Sequence, residues 1–298
     1  MSACPMRPQP DRAADEIHMR RAIALSRKAL GWASPNPAVG CVLVREGTGV
    51  GEGWTAPYGG PHAEVAALAA AREAARGATA YVTLAPCAHH GKTPPCTAAL
   101  LAAGVARVVV AVDDPDPVSR DGVAVLRQAG VSVDLGCCDA EALDVLGGFV
   151  KTIATGLPLV RLKYAMTLDG RIASRTGHSR WVSGAEARAE VHRFRAESDA
   201  VLVGVGTVLA DDPRLTARDA EGALDPASGQ TWQPRRVVLD SHGRTPASAC
   251  VFDCPGGEAV VVTTERIPDD RWAALASCGA TILPCPERDG HVDAREAL

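Results

Sequence analysis

Between Ala38 and Leu135 short valine-rich runs alternate with helix-length stretches, and this alternation restricts the chain to a layered α/β fold. AVGCVLVR (Ala38 to Arg45) reads as a β-branched strand, GVGEGW as its partner across a glycine-rich turn, and HAEVAALAAAREAARG (His62 to Gly77) as a helix stopped by glycine. ATAYVTLAP follows as a strand, PPCTAALLAAG as a helix with proline in its first turn, and ARVVVAVDD as another strand. DGVAVLRQAG, VSVDLG and DAEALDVLGGFVKTIATG add a helix, a strand and a helix. Ahead of them, from Asp15, the residues Ile17, Met19, Ile23, Ala24 and Leu30 mark an amphipathic helix that Gly31 ends.

The length of 298 residues exceeds one small core and suits two domains. The boundary is expected at Gly156-Leu157-Pro158, which gives a disordered leader over 1–14, a first domain over 15–155 and a second over 156–298. In the second, LPLVRLKYAMTLDGRIA is expected to start with a strand and SGAEARAEVHRFRAESD to form a charged helix. DAVLVGVGTVL reads as a buried strand followed by a turn, RRVVLDS and AVVVTTE as further strands, PASGQTWQPR as a polar loop, and HVDAREAL as the first turn of a helix. No internal repeat links the halves. No apolar run approaches the roughly 20 residues a membrane span needs, and MSACPMRPQPDRAADE lacks the apolar core of a targeting peptide, so a cytoplasmic protein with no membrane partner is expected. A formal charge of −4 supplies no basic field for a phosphate backbone, which argues against nucleic acid and for a small-molecule substrate. Ten cysteines dispersed through a chain of this length point to metal or core use rather than a disulfide framework.

Four of the residues in PHAEV and LAPCAHHGKTPPC make a metal-binding pattern: His62, Cys87 and Cys96 as ligands and Glu64 beside them. One imidazole with two thiolates leaves the fourth tetrahedral position of Zn²⁺ open, the coordination that separates catalytic from structural zinc. Glu64, two residues from a ligand and not itself one, suits a proton shuttle, as in the H-x-E and P-C…C arrangement of zinc nucleobase deaminases. Taken singly, the histidine could be a helix cap and the cysteines small buried residues; the combined spacing outweighs that. His89 and His90 are left over, as groups on the substrate side or behind the metal ligands, with a solvated loop histidine as the competing reading.

SPNPAVGCVLV, GEGW, GGPHAEV, YVTLAPCAHHGKTPPC and VDDPDP closely resemble the deaminase domain of the bifunctional riboflavin-biosynthesis deaminase/reductases. The resemblance implies a cytidine-deaminase-like three-layer α/β/α zinc domain. Its implied substrate is a diaminopyrimidinone with a phosphoribosylamino arm, whose ring amine leaves as ammonia; Asn36 would hold the pyrimidine, with His89 and Lys92 near the substrate. LKYAMTLDGRIA, SRWVSG, DAVLVGVGTVLADDPRLTAR and RRVVLDS resemble the family's reductase domain, of dihydrofolate-reductase-like fold, which reduces the ribosyl group to ribityl with NADPH. That resemblance assigns Ala165, Trp181, Thr207, Asp211 and Ser241 to the dinucleotide, and Ser179, Arg195, Leu215 and Arg218 to the substrate. A guanidinium suits a phosphorylated sugar. No G-x-G-x-x-G opens a helix after a first strand, so a Rossmann domain is not supported. The family also implies a homo-oligomer. Ala85, Ala88 and Asp116 depart from its usual glutamate, serine and asparagine. Family members continue beyond HVDAREAL with a strand and a glycine-rich turn, which leads us to expect an incomplete second domain with weak or no NADPH binding, and reduction only where a partner chain completes the sheet. A deaminase with a structural second half, or a zinc-stabilised binding module, are the competing readings, and Glu64 weighs against the latter.

Overall fold

The computed structural model describes residues 12–89, 94–179, 181–218 and 232–298. Two compact units meet in the chain between Leu159 and Val160. Residues 1–11 of the expected leader lie outside the described residues, and Arg12 already opens the first helix.

The first unit runs α1 (Arg12–Ser26), β1 (Gly40–Arg45), β2 (Thr48–Trp54), α2 (Ala63–Ala71), β3 (Thr79–Leu84), α3 (Cys96–Ala102), β4 (Arg107–Val112), α4 (Gly122–Gln128), β5 (Ser132–Leu135) and α5 (Asp139–Thr155). Its sheet has the order β2-β1-β3-β4-β5, antiparallel around β1 and parallel from β3 to β5. Helices α1 and α5 pack on each other, while α2 meets α3 and α3 meets α4, so the sheet lies between two helical layers. Val108, Val109 and Val110 of β4 are almost wholly buried, as a central strand covered on both faces requires. In α1 the buried stripe is Met19, Ala22, Ile23 and Ser26, an i, i+3, i+4, i+7 set, together with Leu25. Ile17, expected on that face, sits two residues before Met19 and so about 200° around the helix; it is exposed.

The β1–β2 register shifts between Leu43 and Val44, a bulge that sets which residues of β2 face each layer. Gly51 and Gly53 face α2, where an added Cβ would stand 2.4 Å from Ala67 O and 2.4 Å from Ala63 O. Glu52, between them, bonds Arg21 of α1 instead. The missing side chains therefore seat the start of α2 directly on the sheet.

A polar network fixes α1 to the strands. Tyr81 donates to Asp15 Oδ1 at 2.8 Å, and Arg107 grips both Asp15 oxygens at 2.8 and 2.7 Å while also reaching Asp134 at 2.8 Å. Burial pushes the Asp15 carboxyl up, but the Arg107 guanidinium and the Tyr81 hydroxyl outweigh it and the net displacement is downward. A carboxyl whose folded pKa lies below its unfolded value of about 3.9 stabilises fully above that value and loses its contribution as pH falls through the folded one. Arg107→Ala should cost about 1–3 kcal/mol at neutral pH, between exposed and buried pairs, and the deficit should shrink below about pH 4. Urea titrations of both proteins across that range measure it; a deficit independent of pH contradicts the role given to Asp15.

The second unit contains α6 (Ala185–Ala196), β6 (Ala200–Gly204), α7 (Val205–Asp211), β7 (Arg235–Leu239), β8 (Ala259–Thr263), α8 (Asp269–Ser277) and β9 (Thr281–Pro284), then the two-residue strands β10 (Glu287–Arg288) and β11 (His291–Val292). Strands β6-β7-β8-β9 form a fully parallel sheet. Three expectations are corrected. LPLVRLKYAMTLDGRIA contains no strand: among the described residues none pairs with it, and Leu162 and Ile172 are 84% and 70% exposed. β6 is an edge strand of alternating exposure rather than a buried one, having β7 alone as neighbour, and helix α7 follows it in place of a turn. HVDAREAL supplies β11 and then a single turn closed by Ala297 N–H on Asp293 O at 3.0 Å. Among the described residues no helix is long and apolar enough to cross a membrane.

Candidate active site

His62 occupies the position before α2, Cys87 the loop after β3 and Cys96 the first turn of α3. The His62 Nδ1 atom lies 3.3 Å from Cys96 Sγ and 3.7 Å from Cys87 Sγ, and the three donor atoms all fall within 4.8 Å of one another. A tetrahedral zinc with bonds of roughly 2.1 Å to nitrogen and 2.3 Å to sulfur spaces such donors by roughly 3.6 Å, so the set fits zinc in both size and chemistry. Among the described residues no other group of three histidine, cysteine or acidic side chains gathers in this way; Cys250 and Cys254 find no third ligand.

Backbone bonds hold the cysteine loop in shape. Cys96 N–H donates to Cys87 Sγ at 3.4 Å, and Thr97 donates to Cys87 O through both its backbone N–H and its hydroxyl, each at 3.2 Å. The start of α4 presses against the same loop: an added Cβ on Gly122 would stand 1.7 Å from Pro86 O. Hydrogen bonding from Cys96 pulls the Cys87 thiol down to about 4, against its burial and with help from His62; Cys96, as the donor, is pushed up. Glu64 lies in the first turn of α2 and is 4% exposed, and burial pushes its carboxyl up to about 7. A carboxyl set near neutrality can both take and give a proton.

Beside the loop, His89 Nδ1 lies 3.2 Å from the hydroxyl of buried Ser119, which also donates to Asp116 Oδ2 at 3.5 Å. Asp116 N–H donates to Asp114 Oδ1 at 2.9 Å, and burial raises the Asp114 carboxyl to about 6. Sequence reasoning missed Ser119 and Asp114; only the D-x-D spacing in VDDPDP hinted at such a turn. Asn36 is half-buried in the loop before β1, its N–H bonded to Ala33 O at 2.8 Å. Lys92 and His90 lie outside the described residues. Ala85 is buried in the core, and its N–H bonds Val112 O.

In the second unit Thr207 lies in the first turn of α7 and Ser241 two residues past β7, so both stand at the carboxyl ends of the parallel strands, where open α/β sheets bind ligands; Asp211 is the last residue of α7. Gly204 and Gly206, around the start of α7, face space in which an added Cβ would meet nothing within 4 Å, leaving room for a dinucleotide to approach the backbone. The Ser241 hydroxyl already accepts Val292 N–H at 3.0 Å. Ala165 lines a concavity with Lys163, Met166, Val182 and Val191. Trp181 is exposed beneath the Arg188 guanidinium, 4.3 Å from its ring centre, and Ser179 is exposed. Leu215 is buried with a left-handed backbone (φ 56°), Arg195 Nη1 donates to Thr216 O at 3.1 Å, and Arg218 follows two residues later.

A three-layer unit that gathers one imidazole and two thiolates from two helix starts and the loop after β3, followed by a parallel-sheet unit, defines a zinc-dependent deaminase domain joined to a reductase domain. Residues 12–112 match the cytidine and deoxycytidylate deaminase zinc-binding region, and residues 158–298 match the RibD C-terminal domain. The riboflavin biosynthesis protein RibD of Escherichia coli K12 is 45% identical over 286 residues, an alignment covering 94% of this chain and 76% of the relative; that of Aquifex aeolicus is 46% identical over 273 residues, covering 91% and 74%. The Acinetobacter baumannii RibD structure superposes with a TM-score of 0.82 at 43% identity, covering 93% of this chain and 75% of that one. A Thermotoga maritima diaminohydroxyphosphoribosylaminopyrimidine deaminase/5-amino-6-(5-phosphoribosylamino)uracil reductase gives 0.78 at 36%, covering 93% and 82%. The chain belongs to the RibD family of riboflavin biosynthesis proteins.

Proposed function

We propose that this chain performs two steps of riboflavin biosynthesis: hydrolytic deamination of 2,5-diamino-6-(5-phosphoribosylamino)pyrimidin-4(3H)-one, then NADPH-dependent reduction of the product's ribosyl group to ribityl. The convergence of the His62, Cys87 and Cys96 donor atoms beside buried Glu64 is the observation that carries the reading. Zinc held by these three residues supplies a Lewis acid that brings the ionisation of water near neutral pH. Glu64 takes one proton from the attacking water and passes it to the ring nitrogen, then carries the second proton, from the hydroxyl that water has added to the ring carbon, to the departing amine, so water replaces ammonia with no net proton change on the enzyme. Asn36 holds the pyrimidine ring, and His89, braced by Ser119, and Lys92 attend the substrate's polar edge.

In the second unit Ala165, Trp181, Thr207, Asp211 and Ser241 bind NADPH, which supplies the hydride. Ser179, Arg195, Leu215 and Arg218 hold the phosphorylated substrate, the guanidiniums suiting its phosphate. The enzyme works in the cytoplasm on a small molecule, without nucleic acid or membrane, and as a homo-oligomer. The absence of any strongly basic balance supports the substrate class, and the exposed apolar side chains Leu162, Met166 and Ile172 support self-association.

Supplied with the diaminopyrimidinone substrate, the zinc-loaded protein should release ammonia with or without NADPH, and NADPH should be consumed only as deaminated product forms. Ammonia assay and dihydronicotinamide absorbance follow the two steps. No ammonia from fully metallated protein overturns the reading.

A further inference from the structure

Three consecutive residues after α7 are tied to two parts of the second unit, the outer two to α6 and the middle one to the segment before β7. Thr216 O accepts Arg195 Nη1 at 3.1 Å, Ala217 pairs with Gln233, and Arg218 Nη2 lies 3.4 Å from His192 Nε2. The Gln233 contact is reciprocal: its Oε1 accepts Ala217 N–H at 3.1 Å, and its Nε2 donates to Ala217 O at 2.9 Å. One side-chain amide thus bonds this backbone in the way a neighbouring strand would. The segment needs such a clamp, because Asp212 and Leu215 both hold left-handed backbones (φ 42° and 56°) that residues other than glycine seldom adopt.

Gln233 is itself anchored. It precedes Pro234 and β7, Arg235 N–H bonds Asp199 O at 2.9 Å, and Trp232 Nε1 donates to Ser198 O at 3.1 Å, just past the helix that carries Arg195. The Arg195 guanidinium is half-buried, and burial together with the positive charge of Arg218 lowers its pKa. Among the described residues neither arginine forms an ion pair with a carboxylate. Two guanidiniums held near each other without a counter-charge suit a dianionic group.

We infer that Gln233 is a positioning residue for the reductase substrate: by clamping Ala217 it fixes the path from Leu215 to Arg218, so that Arg218 and Arg195 meet one phosphate together. This rests on the assignment of the two arginines to the substrate made above. Gln233 touches no substrate; it acts through the backbone beside Arg218.

The test uses the full zinc-loaded chain and follows NADPH oxidation with the phosphoribosylaminouracil substrate and with the same compound lacking its phosphate. Gln233→Ala should raise KM for the phosphorylated substrate about tenfold, the loss expected for one or two misplaced charge-assisted bonds, with kcat within about twofold and KM for NADPH unchanged. On the dephosphorylated compound wild type and variant should have equal kcat/KM, an equality that a general loss of structure does not produce. Where Gln233→Ala folds poorly, Gln233→Glu, which keeps the acceptor for Ala217 N–H, carries the same comparison. Arg218→Ala serves as the reference. If it raises KM and Gln233→Ala leaves KM unchanged, or lowers turnover of both compounds alike, the positioning role is overturned. If Arg218→Ala itself leaves KM unchanged, the assignment of the arginines has failed instead.

Discussion

Glu64→Gln should keep its zinc and lose deamination by about 10²- to 10⁴-fold, the range a positioned proton carrier contributes. Glutamine copies the shape of glutamate and keeps one carbonyl acceptor, so the first turn of α2 and the proposed metal ligand His62 two residues earlier stay in place. It cannot take a proton from water and hand it on. The buried setting sharpens the contrast, since at 4% exposure solvent has little access to substitute for the missing carboxyl. Ammonia release and zinc content measured on the same sample decide the matter. Reduction of separately supplied deaminated product should continue at the wild-type rate, which guards against a general loss of enzyme. An unchanged deamination rate removes Glu64 from the reaction.

Cys87→Ser and Cys96→Ser should each lose bound zinc and folded yield together. A serine hydroxyl is a hard, protonated donor in place of a thiolate, and three-ligand coordination does not tolerate reduction to two. Structural coupling adds to this. Cys87 Sγ accepts Cys96 N–H, so removing the sulfur also removes a bond that shapes the loop. Because metal binding free energy in such sites is folding free energy, the first unit should unfold at lower temperature in both variants, and added zinc should recover little of the difference. Metal analysis alongside thermal unfolding checks both statements. Full zinc content in both variants contradicts the ligand assignment.

The cluster proposed to hold the metal was legible in the sequence because its members are local: His62 and Glu64 share one helix start, and Cys87 and Cys96 flank one short loop whose neighbouring strand and helix announce themselves. Their convergence needed only the alternation of strands and helices. The supporting contacts were hidden because they join distant segments. Arg107 meets Asp15 across 92 residues and His89 meets Ser119 across 30, and no periodicity marks either partner. Arg195 and Arg218 read in isolation as ordinary surface charges, and the family resemblance alone singled them out. Gln233 sat unnoticed in a polar loop, since an amide that pairs with backbone leaves no sequence pattern. LPLVRLKYAM has the composition of a strand, but composition creates no ladder without a neighbour to bond.

The bulge between Leu43 and Val44 has a consequence for the chemistry several turns away. Side chains on β2 alternate between layers, so sliding that ribbon by a single step would exchange two glycines for Glu52 and lift the neighbouring helix off its bed. The irregularity in the hairpin therefore works as a vernier: a misaligned pair of peptide groups calibrates how the helix that begins just after His62 and carries Glu64 is aimed.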